Sequence, residues 1–328
     1  MSSRTIQVSI HRTALKQPFT ISRGSKTHAE TVRVEIAEVG VIGRGECVPY
    51  GRYGETVEGV RAKITGVAPM ILGGCDRTEL PEHLSAGAAR CAVDCALWDL
   101  AAKTTGQPVW KLANLAPPRP IETAETLSLD TPERMGQAAT RITGRLLKLK
   151  LGGAADLARI EAVHRARPDA RLIVDANEGL AATGLDEMTA RAAELGVVLI
   201  EQPLPAGADA TLVRGTSPVP LCADESVHTA ADIPGLAVKY DAVNVKLDKS
   251  GGLTAALDLI AAAKAEGMLT MVGCMVAGSL SMAPAVLAAQ LTDFADLDGP
   301  LWLKEDLSPG LQFSGGMVPP PDPALWGG

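Results

Sequence analysis

Five short apolar runs in succession each end on a single ionisable residue: Lys150, Asp175, Glu201, Asp224 and Lys246. They fall 25, 26, 23 and 22 residues apart, close to the length of one strand, one helix and their loops. A strand buried in a sheet has no reason to finish on a charge, because an unpaired charge taken out of water is costly. A chain alternating strand and helix brings every strand end back to the same side of a parallel sheet. The five charges, in the order base, acid, acid, acid, base, are therefore expected around one barrel mouth, where such folds keep their chemistry.

The same rhythm extends to both sides. Apolar runs at 122–129, 146–150, 172–175, 197–201, 219–224, 242–246, 269–274 and 294–297 alternate with Ala-rich stretches of helical periodicity such as 157–167, 184–195 and 253–266. Eight strand–helix units of this kind predict an α/β barrel over 119–301, its last helix missing or reduced because Gly and Pro follow. Upstream, alternation at 5–12, 31–39 and 44–48 predicts an antiparallel meander. Gly40, Gly43 and Gly45 read as turn residues there, since no helix opens after them and Pro49 follows. A helical pattern covers 55–112, clearest over 86–104, and Pro117, Pro118 and Pro120 mark a connector. The expected division is an α+β domain at 1–118, the barrel at 119–301, and a segment at 302–328 that packs back on the first domain.

Composition removes several classes of function. With 31 basic and 38 acidic residues and a net charge of -7, the chain has no basic stripe to follow phosphates, so no nucleic acid is expected as partner. Its six cysteines form no CxxC and no disulfide framework, which suits buried thiols in a reducing compartment. Residues 1–19 lack the apolar run of a signal peptide, and no segment is long enough to span a membrane. Cytoplasm is the expected location and no membrane partner is expected. The uniform, Ala-rich helices mark no interface, which leaves a homo-oligomer open.

Three carboxylates on neighbouring strands suit a hard divalent cation, and without histidine or cysteine among them magnesium is favoured over zinc. Taken singly, Asp175, Glu201 or Asp224 reads equally well as a cap at a strand–helix junction. Lys148 stands two residues before Lys150 and so on the same strand face. Crowding one ammonium beside another would favour loss of a proton from Lys150, fitting it as a general base. Lys246 would arrive from the far side of the acidic arc, and two lysines facing across a metal-bound carboxylate suit a racemase or epimerase. A solvated basic strand end, a Schiff-base aldolase and a barrel that only binds metal and ligand remain as alternatives.

These residues sit in motifs that resemble the enolase superfamily, muconate lactonising enzyme subgroup: Lys148-Leu149-Lys150, Asp175-Ala176-Asn177, Glu201-Gln202-Pro203, Asp224-Glu225-Ser226 and Lys246-Leu247-Asp248-Lys249-Ser250-Gly251-Gly252. The resemblance runs over essentially the whole chain. It implies a modified (β/α)7β TIM-type barrel with an α+β capping domain. Asp175, Glu201 and Asp224 would bind Mg2+ with Asn177 beside them, and Lys150 and Lys246 would be the acid/base pair. Gly273-Cys274-Met275 stands where the mandelate racemase branch would have a histidine, which disfavours that branch.

Asp296-Leu297-Asp298 puts two carboxylates on one face, a receptor for a free ammonium group. That pair resembles the dipeptide epimerases, in which it holds the substrate's N-terminal amine. Stretches 18–25, 45–55, 273–275 and 295–300 are similar to proteobacterial L-Ala-D/L-Glu epimerases, with Arg23 suited to a second carboxylate. The resemblance therefore implies a dipeptide substrate, epimerised at its second residue during recycling of cell-wall peptide. N-acylamino acid racemisation and cycloisomerisation are the alternatives within the subgroup. One departure is Glu178-Gly179-Leu180, where a Trp is common three residues past Asn177.

Overall fold

A computed structural model describes residues 4–328. The chain opens with a long hairpin, β1 (Thr5–Ile21) and β2 (Gly24–Glu38), antiparallel from Thr5 opposite Ala37 to Ile21 opposite Gly24, with a bulge between Ala14 and Phe19. β3 (Val41–Cys47) completes the meander against β2. Alternate β2 residues Val32, Val34 and Ile36 are fully buried, the period of two that a sheet with one covered face requires.

The covering layer is α1 (Val57–Leu72) and α2 (Ala88–Thr105), followed by α3 (Val109–Leu112). Only Gly40 of the three early glycines serves a turn, at φ 80. Gly43 and Gly45 lie inside β3, where a Cβ would stand 2.3 Å from Ala96 O and 2.1 Å from Ala92 O. These two glycines therefore correct the turn reading: they let the α2 backbone approach the strand.

The chain then enters the barrel through β4 (Ile121–Glu122), β5 (Glu125–Leu127), α4 (Pro132–Ala139), β6 (Leu146–Lys150), α5 (Asp156–Ala166), β7 (Arg171–Asp175), α6 (Leu185–Glu194) and β8 (Val197–Glu201). It continues through β9 (Leu221–Ala223), α7 (Ile233–Leu236), β10 (Ala242–Val245), α8 (Leu247–Ser250), α9 (Leu253–Ala265), β11 (Leu269–Gly273), α10 (Ser279–Ala289), β12 (Phe294–Asp296) and β13 (Met317–Val318). Strands β5 to β12 pair in parallel in sequence order, and Ala124 N donates to Ala295 O at 2.8 Å across the two ends of the sheet. The expected helix between β8 and β9 is absent. Pro203, Pro205, Pro218 and Pro220, with Gly207 and Gly215 at positive φ, leave only turns there.

One buried apolar residue per strand forms the floor of the barrel: Ala124, Leu146, Ile173, Leu199, Cys222, Ala242 and Met271, with Phe294 against them. Two residues further along each strand the same face carries Thr126, Lys148, Asp175, Glu201, Asp224, Asn244, Gly273 and Asp296. A polar ring thus lies directly above an apolar floor. The C-terminal segment reaches both parts of the molecule. β13 pairs with β4, and Trp326 Nε1 donates to Cys95 O at 3.0 Å in α2. All six cysteines are unpaired thiols. Among the described residues no helix is long and apolar enough to cross a membrane.

Candidate active site

Above the polar ring a cavity of about 220 Å³ is lined by Lys150, Lys246, Asp224, Asp296, Asp298 and Asn177 from the barrel, and by Phe19, Arg23, Lys26, Tyr50 and Tyr53 from the capping part. Lys150 ends β6 and Lys246 follows β10, four strands away in either direction round the ring. The two lysines therefore face each other across the cavity. Asp175, Glu201 and Asp224 fill the arc between them, and Asp175 and Glu201 are register partners on β7 and β8.

These carboxylates are fully or almost fully buried, so cations must accompany them. Lys150 Nζ lies 2.5 Å from Asp175 Oδ2, and Lys246 Nζ lies 2.7 Å from Asp224 Oδ2 and 3.9 Å from Glu201 Oε1. Burial works against ionisation of Asp175, but Lys150 and Lys148 outweigh it and hold the carboxyl below its usual range. At Asp224, Lys246 and Lys249 likewise overcome burial. Glu201 is different: burial and the neighbouring Asp175 push it up to about 7, against Lys148.

Lys148 does not line the cavity. Its ammonium sits one layer lower, 2.7 Å from Asp296 Oδ2, 2.6 Å from Glu201 Oε2 and 3.2 Å from Asp175 Oδ2. Burial opposes its charge, yet these three carboxylates raise its pKa well above the ordinary lysine value. Lys148 is thus a buried counter-ion shared by three acids, whereas the spacing alone had suggested an ammonium in the mouth beside Lys150.

Several members of the site escaped the sequence reading. Asn244 Nδ2 donates to Glu201 Oε1 at 2.8 Å, and Lys249 Nζ donates to Asp224 Oδ1 at 2.6 Å. Gln202, at φ 37, accepts from Asp224 N at 2.8 Å and donates to Tyr240 Oη at 3.0 Å. Asn177 and Glu178 also have positive φ, 45 and 69. This cluster of left-handed residues is held by side-chain bonds rather than by glycine. Asn244 could have been found as the residue two before Lys246 on the same strand face; Gln202 carries no such signal.

Asp298 Oδ2 accepts from Thr126 N at 2.6 Å and from Trp302 Nε1 at 3.2 Å, and burial with Asp296 beside it pushes the carboxyl up to about 7. Arg23, at the tip of the β1–β2 hairpin, reaches the opposite wall. Its Nη1 donates to Asn177 O at 2.8 Å and Glu178 Oε2 at 3.2 Å, and its Nη2 donates to Glu225 Oε1 at 2.7 Å. Those partners flank β8, which stands four strands from β12 and its acidic pair.

Asn177 Oδ1, Glu225 Oε2 and Asn244 Oδ1 are buried without a hydrogen bond, whereas Glu201 Oε2 has the Lys148 ammonium. Orphaned acceptors at that density call for a further donor or cation. Lysine ammonium groups stand among the acids, and among the described residues no three acidic, histidine or cysteine side chains form a ready cage. The donor set itself, three carboxylates from adjacent strands with orphaned oxygens around them, fits a hard divalent ion.

An eight-stranded parallel barrel under a capping meander, with acids in an arc between two opposed lysines, defines an enolase-type enzyme. Residues 133–324 match the family described as enolase C-terminal domain-like, and residues 3–113 match the N-terminal domain of mandelate racemase / muconate lactonizing enzyme. The chain belongs to this family of the enolase superfamily.

Among its relatives, the L-Ala-D/L-Glu epimerase of Escherichia coli K12 is 45% identical over 95% of this chain and 98% of its own. An N-acetyl-D-glutamate racemase of a Pseudoalteromonas species is 43% identical over 90% and 94%. An enolase family member from Agrobacterium tumefaciens with homology to dipeptide epimerases, solved with bound sodium and L-Ala-L-Glu, is 51% identical with a TM-score of 0.96 over 99% of this chain and 100% of that one. The dipeptide epimerase of Enterococcus faecalis, complexed with Mg and L-Leu-L-Tyr, is 27% identical with a TM-score of 0.91 over 98% of each.

Proposed function

We propose that the protein epimerises a dipeptide, interconverting L-Ala-D-Glu and L-Ala-L-Glu at the α-carbon of the second residue by two-base 1,1-proton transfer through an enediolate. The observation that carries this reading is the opposition of Lys150 and Lys246 across one cavity. Inversion at carbon needs one group to take the proton from one face and another to deliver a proton to the other. The lysine lacking a proton acts as base, its partner as acid, and the roles exchange with the direction of reaction.

Asp175, Glu201 and Asp224 would hold magnesium, with Asn177 beside them. When bound, the ion supplies Lewis-acid stabilisation of the negative charge that grows on the substrate carboxylate. Lys148 touches no substrate in this account; it positions Glu201, Asp175 and Asp296. Asp296 and Asp298 receive the dipeptide's ammonium group. Arg23 closes the opposite wall, toward which the second side chain extends. The activity belongs to recycling of murein peptide in the cytoplasm.

The rival reading is racemisation of an N-acyl amino acid, the activity in the name of the Pseudoalteromonas relative. An acyl group brings no cation to this wall, where Asp296 has Lys148 but the buried Asp298 carboxylate would stay without a counter-ion. Incubation of a dipeptide panel and of N-acetylglutamate in deuterium oxide with magnesium separates the two. Exchange at the second α-carbon of L-Ala-Glu is expected. Preferential exchange of N-acetylglutamate would favour the rival, silence toward every dipeptide would sink the epimerase reading, and indifference to chelator would remove the metal.

A further inference from the structure

We propose that Asp209 is a positioning residue for the arc of acids: by setting the direction of the hydrogen bonds around Gln202, it holds Glu201 and Asp224 in the arrangement that takes a divalent ion. The inference rests on the magnesium reading above. Asp209 lies in the connection between β8 and β9, where turns replace the expected helix, and it is buried. Lys239 Nζ donates to its Oδ1 at 2.6 Å, while Tyr240 Oη at 2.8 Å and Ser226 Oγ at 2.9 Å both donate to its Oδ2. Burial opposes the charge, but these three donors outweigh it and hold the carboxyl below its usual range. An ionised carboxylate only accepts. Both hydroxyl hydrogens therefore point at Asp209, and both hydroxyls are left as acceptors on their other side.

What they accept is the amide of Gln202. Its Nε2 donates toward Ser226 Oγ at 2.9 Å, Tyr240 Oη at 3.0 Å and Leu204 O at 2.8 Å. With the nitrogen held on that side, Oε1 faces the end of β9, where it accepts from Asp224 N at 2.8 Å and Ser226 N at 3.1 Å. Gln202 N donates to Cys222 O at 2.8 Å, within β9 itself. One residue, directly after Glu201, thus ties the end of β8 to the residue that carries the Asp224 carboxylate. Its φ of 37 is unfavourable for a residue with a Cβ and persists because its surroundings impose it.

Exchanging the carboxylate for an amide would undo part of this order. In Asp209→Asn the Lys239 ammonium keeps the amide oxygen, so the NH2 group faces Tyr240 and Ser226. Hydroxyls that accept from it turn their own hydrogens toward Gln202 Nε2, which is itself a donor. Two of the three bonds holding the Gln202 amide are lost, with side-chain shape and volume nearly unchanged.

The test is calorimetric titration of the full-length protein with magnesium alone, without substrate. Asp209→Asn is expected to raise the magnesium dissociation constant about tenfold to a hundredfold, the range for groups that orient metal ligands. Turnover of L-Ala-L-Glu should then need more magnesium, with kcat at saturating metal little changed. Lys239→Met removes the counter-ion but keeps the carboxylate that accepts from both hydroxyls, so it should lower the urea midpoint and leave the magnesium constant near the wild-type value. An unmoved constant in Asp209→Asn, or an equal rise in Lys239→Met, overturns the assignment of Asp209 alone. Should Asp209→Asn not fold, Tyr240→Phe takes its place: a smaller rise in the constant is expected, and none overturns the assignment. Absence of magnesium binding by the wild-type protein overturns the magnesium reading, and this inference with it.

Discussion

Lys148 and Asp296 form a buried ion pair at 2.7 Å, and the same ammonium lies 2.6 Å from Glu201 Oε2. One cation thereby links the acidic wall formed by β12 to the arc of acids on β7, β8 and β9. The wall that would receive an ammonium group and the arc that would hold a metal are not independent: any change in one is felt through Lys148 by the other.

Replacing Lys148 with Met should be costly for stability rather than for proton transfer alone. Three buried carboxylates would lose their shared counter-ion, and breaking a buried pair by removing one partner costs about 3–5 kcal/mol. Urea unfolding of Lys148→Met should show a lower midpoint of about that size. An unchanged midpoint would mean that the acids are neutralised in another way.

A divalent cation should stabilise the folded chain whatever its effect on activity. Orphaned oxygens on Asn177, Glu225 and Asn244, beside the three acids, offer binding energy that the unfolded chain lacks. At a hundred times its dissociation constant a bound ion adds about 2.7 kcal/mol. Thermal unfolding with magnesium against chelator should show a higher Tm with the metal, and Asp224→Asn should remove most of that difference.

Asp298→Asn keeps an acceptor for Thr126 N and Trp302 Nε1 but removes the charge. Its kcat/KM for L-Ala-L-Glu should fall about tenfold to a hundredfold, the scale of a hydrogen bond to a charged group. If turnover of the dipeptide were intact, Asp298 would not be receiving the ammonium.

Asp94 gives a pH dependence remote from the site. It is almost fully buried in α2, where burial raises its pKa to about 6 against hydrogen bonds from Thr254. A carboxyl with a folded pKa above the unfolded value of about 3.9 binds its proton more tightly when folded. Its contribution is therefore favourable at acid pH and is lost as pH rises from about 4 through about 6, by at most about 2–3 kcal/mol. Asp94→Asn, which keeps an acceptor for Thr254, should flatten the fall in urea midpoint between pH 4.5 and 7.

The barrel was legible because its signal is periodic. Apolar runs ending on Lys150, Asp175, Glu201, Asp224 and Lys246 fall one strand–helix unit apart, and the structure gathers them above a common floor. The β8–β9 connection broke that rhythm: equal spacing promised a helix there, while four prolines exclude one. Lys148 was legible in place but not in role. The period of two puts it on the same face as Lys150, yet only three dimensions show that the face steps down a layer, from cavity to carboxylate ring. Glu178 and Glu225 were unreadable as partners of Arg23, because a hairpin tip meeting loops 155 and 202 residues away leaves no local pattern.

The central claim is that Lys150 and Lys246 serve opposite faces of one α-carbon, and single-lysine variants in deuterium oxide test it most directly. Lys150→Ala and Lys246→Ala should each stop net epimerisation. Each should retain exchange of the second α-proton in one epimer of L-Ala-Glu, and the epimer retained should differ between the two variants. Exchange of both epimers by either variant, or loss of both epimers in one variant with no effect in the other, would contradict a two-base site.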